Sequence, residues 1–362
     1  MADLRFEIDA EIARASTLPG RFYTDPAVYE ASRSRIFERT WHWVGDTDEI
    51  RTPGHAMPVT LLEGCLDEPL ALTRDEADRL HCLSNVCTHR GMQVVEGSGR
   101  VSCLTCRYHG RRFELDGTFR SMPEFEGVEG FPSGADDLSR VPMGVWRKFI
   151  FAGVEPAMGF EAWVDAMEAR VGWMPIDEAR LEPTRCKDYL VRANWALYCD
   201  NYLEGFHVPF VHPGLTGTLD YGAYRTEVFR WSNVQVGVAK GGEDCFEIPR
   251  GAPGHGEEIA GYYFWLFPGT MFNFYPWGIS VNVVKPLGPD LTKVSFLSYV
   301  WDHTRLSRGA GAELDRVERE DESVVESVAR GLRSRFYERG RFSPTREQGV
   351  HHFHRLVGEF MG

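Results

Sequence analysis

The chain has 362 residues, 43% of them hydrophobic, and a formal net charge of −13. That length allows two domains with real cores, and the acidic balance argues against nucleic acid or an anionic membrane as a partner. No apolar run approaches the roughly 18 residues needed to span a bilayer.

The N-terminus, Met1-Ala2-Asp3-Leu4-Arg5-Phe6-Glu7, lacks the basic and apolar regions of a signal peptide, and eight cysteines are modest for this length. Both features predict a cytoplasmic protein with reduced thiols. Residues 1–44 carry a helical pattern with aromatics (Phe22, Tyr23, Phe37, Trp41, Trp43) and are expected to pack on the larger domain. Residues 45–155 read as short strands and turns, for example 57–62, 70–73 and 80–84. A Gly/Pro-rich loop over 123–142 closes that part. Residues 156–362 begin with helices, continue through extended segments such as 224–238 and 281–284, and end in helices. The predicted class is α+β, a small β domain set into a larger α+β domain.

Inside the small domain lie Cys87-Thr88-His89-Arg90-Gly91 and Cys106-Arg107-Tyr108-His109-Gly110. Two cysteines and two histidines, one of each per half, suit a 2Fe–2S cluster held by two thiolates on one iron and two imidazoles on the other. Structural zinc is the rival, since two cysteines and two histidines are also a zinc set, although zinc fingers pair like ligands. Gly91 and Gly110 let the backbone turn tightly beside the cluster. Cys103-Leu104-Thr105-Cys106 imitates a dithiol motif. The next residues, Arg112-Phe113 and Thr118-Phe119 around Asp116-Gly117, predict a hairpin instead of the helix such a motif needs. Cys103 is therefore read as a spare buried thiol, and Cys82 as a small buried hydrophobe.

The larger domain holds a second constellation from Asn194 to His212. Asp200, Glu204 and His207 are spaced to share a helix face. Pro209 is expected to end that helix and let His212 swing back beside His207. Two imidazoles and a carboxylate with open positions form the triad of non-haem Fe(II) oxygenases. In 313–337 the apolar residues Leu314, Val317, Val324, Val328 and Leu332 leave one gap, filled by Asp321. A carboxylate in an apolar stripe is costly unless it is paired or bound to metal. A buried ion pair with Arg330 or Arg333 is the alternative. Glu320 and Glu322 fall off the stripe and are expected in solvent.

With these motifs the chain resembles the α-subunit of the Rieske non-haem iron oxygenases over nearly its whole length. Cys87, His89, Cys106 and His109 match the Rieske ligands, and His207, His212 and Asp321 match the mononuclear iron ligands. The resemblance implies a Rieske β domain over 45–155 and a catalytic domain over 156–362 with a helix-grip antiparallel sheet. It also implies a 2Fe–2S cluster, Fe(II), and a separate flavin and iron–sulfur reductase that draws on NAD(P)H. Arg111 stands where the family often has Trp, which puts donor docking in question, and Ala196 stands where a lysine is usual. Glu204 is similar to the branch acting on quaternary ammonium compounds, whereas ring-hydroxylating dioxygenases carry Asp there. In the family this acid also hydrogen-bonds the second Rieske histidine of a neighbouring subunit. Here that would link Glu204 to His109 of the next copy in a ring, expected to be a homotrimer.

The implied activity is O₂-dependent hydroxylation of a C–H bond of a small-molecule substrate, as N-demethylation or hydroxylation of a betaine-type compound. Hydroxylation of an aromatic ring is the alternative, and an electron carrier without the second iron is a further one. Nine of the sixteen residues from Tyr262 to Trp277 are aromatic. Most are expected in a sheet core, with Phe264, Trp277, Tyr202, Phe206 and Phe210 as candidates for a cation–π pocket. His42, the tract His351-His352-Phe353-His354 and the turn Gly97-Ser98-Gly99 look functional but read as structural.

Overall fold

The computed structural model describes residues 4–212, 219–306, 308–311 and 314–362, without the side chain of Ala310. Residues 1–3 and Glu313, which entered the sequence expectations, lie outside them. The chain forms two compact units, Glu38–Ala157 and a larger one built from 1–37 with Met158–Gly362. The larger unit opens with helices α1 (Gly20–Thr24) and α2 (Pro26–Ser32), the latter extended by a π turn at Arg33–Phe37. Asp25 caps α2 by accepting from the Ala27 amide at 2.9 Å, and Pro26 stands at the first helical position, where its missing N–H costs nothing.

In the small unit, β1 (His42–Asp46) pairs with β10 (Phe149–Ala152), which pairs with β9 (Met143–Trp146). The helical reading of 1–44 therefore overruns, because His42 and Trp43 already belong to a sheet. A second sheet joins β2 (His55–Leu61), β3 (Glu68–Arg74), β4 (Leu80–Ser84) and β5 (Gly99–Arg100) in the order β4-β3-β2-β5. A third joins β6 (Leu104–Thr105), β7 (Arg112–Phe113) and β8 (Phe119–Ser121). The β7–β8 turn runs through Gly117 at φ +90°, the hairpin expected of Asp116-Gly117. Cys87 and Cys106 sit in this unit's core with Leu83, Val94, Leu104 and Phe113.

In the larger unit, α3 (Phe160–Val171), β11 (Arg180–Leu181), β12 (Lys187–Val191), α4 (Trp195–Tyr202) and α5 (Val208–Val211) precede the main strands. These are β13 (Arg225–Val228), β14 (Ser232–Val238), β15 (Ile259–Leu266), β16 (Thr270–Tyr275), β17 (Gly278–Gly288) and β18 (Leu291–Val300). The C-terminal helices are α6 (Leu314–Gly331) and α7 (Gln348–Met361). The strands make an antiparallel sheet in the order β11-β18-β17-β16-β15-β14-β13, with β12 also on β18. Strands β15, β16 and β17 are buried almost throughout, so alternation does not mark their faces in the sequence, and register decides which side chains face which way. Gln235 pairs with Tyr263, Tyr263 with Asn273, Asn273 with Ser280 and Ser280 with Ser298. These share one face with Tyr275, Asn282 and Phe296, and Phe264 with Phe272 lies on the other. Among the described residues no helix is long and apolar enough to cross a membrane.

Candidate metal centres and active site

The two halves of the first centre are built alike. The Gly91 amide donates to the Cys87 carbonyl at 2.9 Å, and the Gly110 amide to the Cys106 carbonyl at 3.0 Å. Each loop closes on a glycine in the left-handed region, at φ +73° and +72°, where a side chain would be strained. Buried Asn85 holds the first loop, donating to the Val95 carbonyl at 2.7 Å and accepting from the Val94 and Val95 amides. The result brings Nδ1 of His89 within 3.2 Å of Nδ1 of His109, beside two buried thiols close enough to hydrogen-bond. Burial raises the Cys87 thiol. Burial and the facing His109 ring lower the pKa of His89. Two thiols and two imidazoles converging this way fit the mixed ligand set of a 2Fe–2S cluster.

The second centre rests on α4, α5 and α6. Asn194 starts α4, accepting from the Ala196 amide at 3.0 Å. The helix ends at Tyr202, so Asp200, Glu204 and His207 do not share one helix as their spacing suggested. Asp200 turns away to Tyr23 and His354, at 2.7 and 2.8 Å. Pro209 begins a new turn, α5, instead of ending the old one. Gly205 occupies the break because a Cβ there would stand 2.5 Å from the Tyr224 ring. His207 immediately precedes α5 and His212 immediately follows it, which turns both rings to the same side.

His207 Nε2 lies 3.5 Å and His212 Nε2 3.0 Å from Oδ1 of Asp321. The three possible ligand atoms all fall within 4.8 Å of one another. Each imidazole is held from behind by a carboxylate, His207 Nδ1 by Glu204 at 2.7 Å and His212 Nδ1 by Glu320 at 2.8 Å. Glu204 also accepts from the Phe206 and His207 amides, and Asn201 donates to Asp321 at 2.7 Å. Burial opposes a charge on His212, but Asp321 and Glu320 outweigh it and raise its pKa. Glu320 in turn is lowered by its bond from His212. Two nitrogens and one carboxylate oxygen, with fixed tautomers behind them, fit a mononuclear iron.

Beside the triad lies a pocket between α4, α6 and the inner face of the sheet, with an empty volume of about 800 Å³. Tyr198, Tyr202, Tyr224, Tyr263 and Tyr275 line it, with Asn273, Gln235, Phe296 and the carboxylates of Glu204, Glu318 and Asp321. Tyr202 Oη donates to Asn273 Oδ1 at 2.7 Å, and Tyr224 Oη to Gln235 Oε1 at 3.2 Å.

Residues 169–362 match the model of the ring hydroxylating alpha subunit (catalytic domain), and residues 40–132 match the Rieske 2Fe–2S domain. The chain belongs to the Rieske non-haem iron oxygenase α-subunits. Across 97% of its length it is 33% identical to the chloroplastic choline monooxygenase of Arabidopsis thaliana, of which it covers 84%. It is 29% identical to the carnitine monooxygenase oxygenase subunit of Escherichia coli (strain K12), over 95% of this chain and 94% of that one. A crystal structure of a quaternary ammonium Rieske monooxygenase with L-carnitine aligns at a TM-score of 0.76 and 25% identity, covering 98% and 97% of the two chains. A 2Fe–2S cluster and a mononuclear iron are thus the cofactors of this Rieske oxygenase.

Several sequence expectations need correction. Of the five aromatic candidates, only Tyr202 is on the lining of this Rieske oxygenase's pocket. Phe264 is one residue out of phase and faces the opposite side of the sheet. Trp277 is fully buried in the turn after β16, stacked on Tyr275 at 5.2 Å. Phe206 and Phe210 are 42% and 78% exposed, because the chain turns at Gly205 instead of continuing as a helix. Glu320 is not a solvated bystander but the partner of His212. Arg111 is buried, paired with Asp136 at 2.7 Å and set over Phe119 and Phe131, so it presents nothing for a donor to dock on. Cys103 is half-buried, and the three histidines of the C-terminal tract are all buried.

The sequence reading missed Asn201, Glu318 and the tyrosines of the sheet. Glu318 and Asn201 had a signal. Each stands three residues from a residue already singled out, Asp321 and Glu204.

Proposed function

We propose that this Rieske oxygenase inserts oxygen into a C–H bond of a quaternary ammonium substrate, as the oxygenase component of a system fed by a separate reductase. The observation that carries the reading is the pocket beside the triad, walled by five tyrosines and three carboxylates with no lysine or arginine on its lining among the described residues. A quaternary ammonium offers no hydrogen bond to donate, so ring faces and negative charge are what can hold it. The choline and carnitine oxygenases that resemble this chain support the same substrate class.

In this proposal Cys87, His89, Cys106 and His109 hold the cluster, and His207, His212 and Asp321 hold the iron. When bound, the two groups supply one-electron transfer and O₂ activation. The chain's own residues do the rest. Glu204 and Glu320 each fix the tautomer of one imidazole, leaving its Nε2 lone pair free. Asn201 orients Asp321, and the tyrosine rings place the substrate carbon. Glu204, bonded to His207 and partly exposed at the pocket edge, would in a ring of copies meet the exposed His109 of the next one and carry electrons between subunits. The test is oxygen uptake with a reductase and NAD(P)H across choline, glycine betaine, carnitine and naphthalene. Uptake matched one-for-one by oxidised ammonium product is expected, and coupled oxidation of naphthalene alone would overturn the reading.

A further inference from the structure

One carboxylate in the pocket has no task in that chemistry. Glu318 is 5% exposed and lies one helical turn before Asp321 on α6. Its Oε2 accepts from Tyr198 Oη at 3.0 Å, whereas its Oε1 is buried with no hydrogen-bond partner among the described residues. Among the described lining residues no other side-chain polar atom is both buried and without a partner. Burying a carboxylate oxygen without a partner is costly, and such a group in a binding pocket marks where a ligand's charge belongs.

Resting on the quaternary ammonium reading, we infer that Glu318 is the counter-charge of the substrate's ammonium group, and that the pocket selects a small monocation carrying no carboxylate. Two further arguments lead there. Fe(II) held by the single carboxylate of Asp321 keeps a net positive charge, so a second cation brought beside it needs a negative neighbour. A carboxylate tail would instead meet Glu318 and Glu204, which also line the pocket. The nearby cations Arg185 and Lys187 line a separate cavity that shares only Phe296 and Leu314 with the pocket, and Lys187 is committed to Asp315 at 2.6 Å.

The test is calorimetric binding to the oxidised holoenzyme of choline, its neutral carbon isostere 3,3-dimethylbutan-1-ol, and glycine betaine. The wild type should bind choline tighter than the isostere by roughly 30-fold or more, the scale of a buried charge pair, and tighter than betaine. Glu318→Gln keeps a bond to Tyr198; it should lose most of the choline advantage, leave the isostere unchanged and narrow the gap to betaine. Unchanged choline binding in Glu318→Gln would overturn the inference while leaving the substrate class intact. Equal losses for choline and isostere would also overturn it, by showing a role in pocket shape alone, as would betaine binding tighter than choline. If no ammonium compound binds the wild type, the substrate reading itself falls and takes this inference with it. The Rieske absorption and iron content of each variant report its folding.

Discussion

Glu320→Ala isolates a residue that touches no substrate and whose work passes through His212. The side chain accepts from His212 Nδ1 at 2.8 Å and is steadied by Arg316 Nε at 3.1 Å. His212 is almost fully buried while the Glu320 side chain is 27% exposed, so water can replace the lost acceptor only in part. A hydrogen bond involving a charged group is worth about 1.5–3 kcal/mol, which converts to roughly 10- to 150-fold in affinity. The fall should appear in iron at the mononuclear site, because an imidazole released from Glu320 is free to take the wrong tautomer. The assay is iron per chain after dialysis against a graded chelator, with the Rieske absorption as internal reference. Glu320→Ala should lose the third iron at a chelator concentration lower by about that factor, while the two cluster irons stay. Wild-type retention of the third iron would refute the idea that Glu320 sets the geometry of His212.

Asp321→Ala should remove the third iron and abolish product formation while leaving the visible spectrum of the cluster unchanged; full activity would move the ligand assignment elsewhere on α6. Glu204→Gln should slow cluster reoxidation in single turnover, because an amide can serve the Phe206 and His207 amides or the His207 ring but not both in the same way; rapid reoxidation coupled to product would reject the bridging role. A pH-dependent prediction concerns Asp75 of the small unit. Burial works against its charge, yet hydrogen bonds from His81 and Arg79 outweigh that and hold its pKa below the usual carboxylate range. A depressed carboxylate contributes stability that is present above its unfolded pKa near 3.9 and lost as pH falls through the folded value. Asp75→Asn should therefore cost about 1–2 kcal/mol against urea at pH 7, with the deficit shrinking below about pH 4; a deficit independent of pH would show a packing defect instead.

The metal motifs were legible because each is local. Cys87 to Gly91 and Cys106 to Gly110 carry their ligands and their turn glycines within five residues. Asp321 could be found because a charge in an apolar stripe is conspicuous. The pocket was not legible for the opposite reason. Tyr263, Asn273 and Gln235 come together through strand register, and one residue of phase separates pocket-facing Tyr263 from core-facing Phe264. The exposure of Phe206 and Phe210 depends on where α4 stops. Just past that stop Tyr224 approaches Gly205 too closely for a side chain there, a contact between distant parts of the chain that no local pattern reports. Arg111 misled in the same way, since its partners Asp136 and Phe131 lie in a loop with no regular period.

If the triad and the tyrosine pocket act as one site for oxidising a quaternary ammonium compound, a single turnover will show it most directly. Chemically reduced protein, without reductase, is mixed with choline and O₂, and cluster reoxidation and product are followed together. Reoxidation should be fast only when choline is present, with oxidised choline appearing in step with it. Reoxidation at the same rate without choline, or with no ammonium product, would contradict the assignment of one shared site.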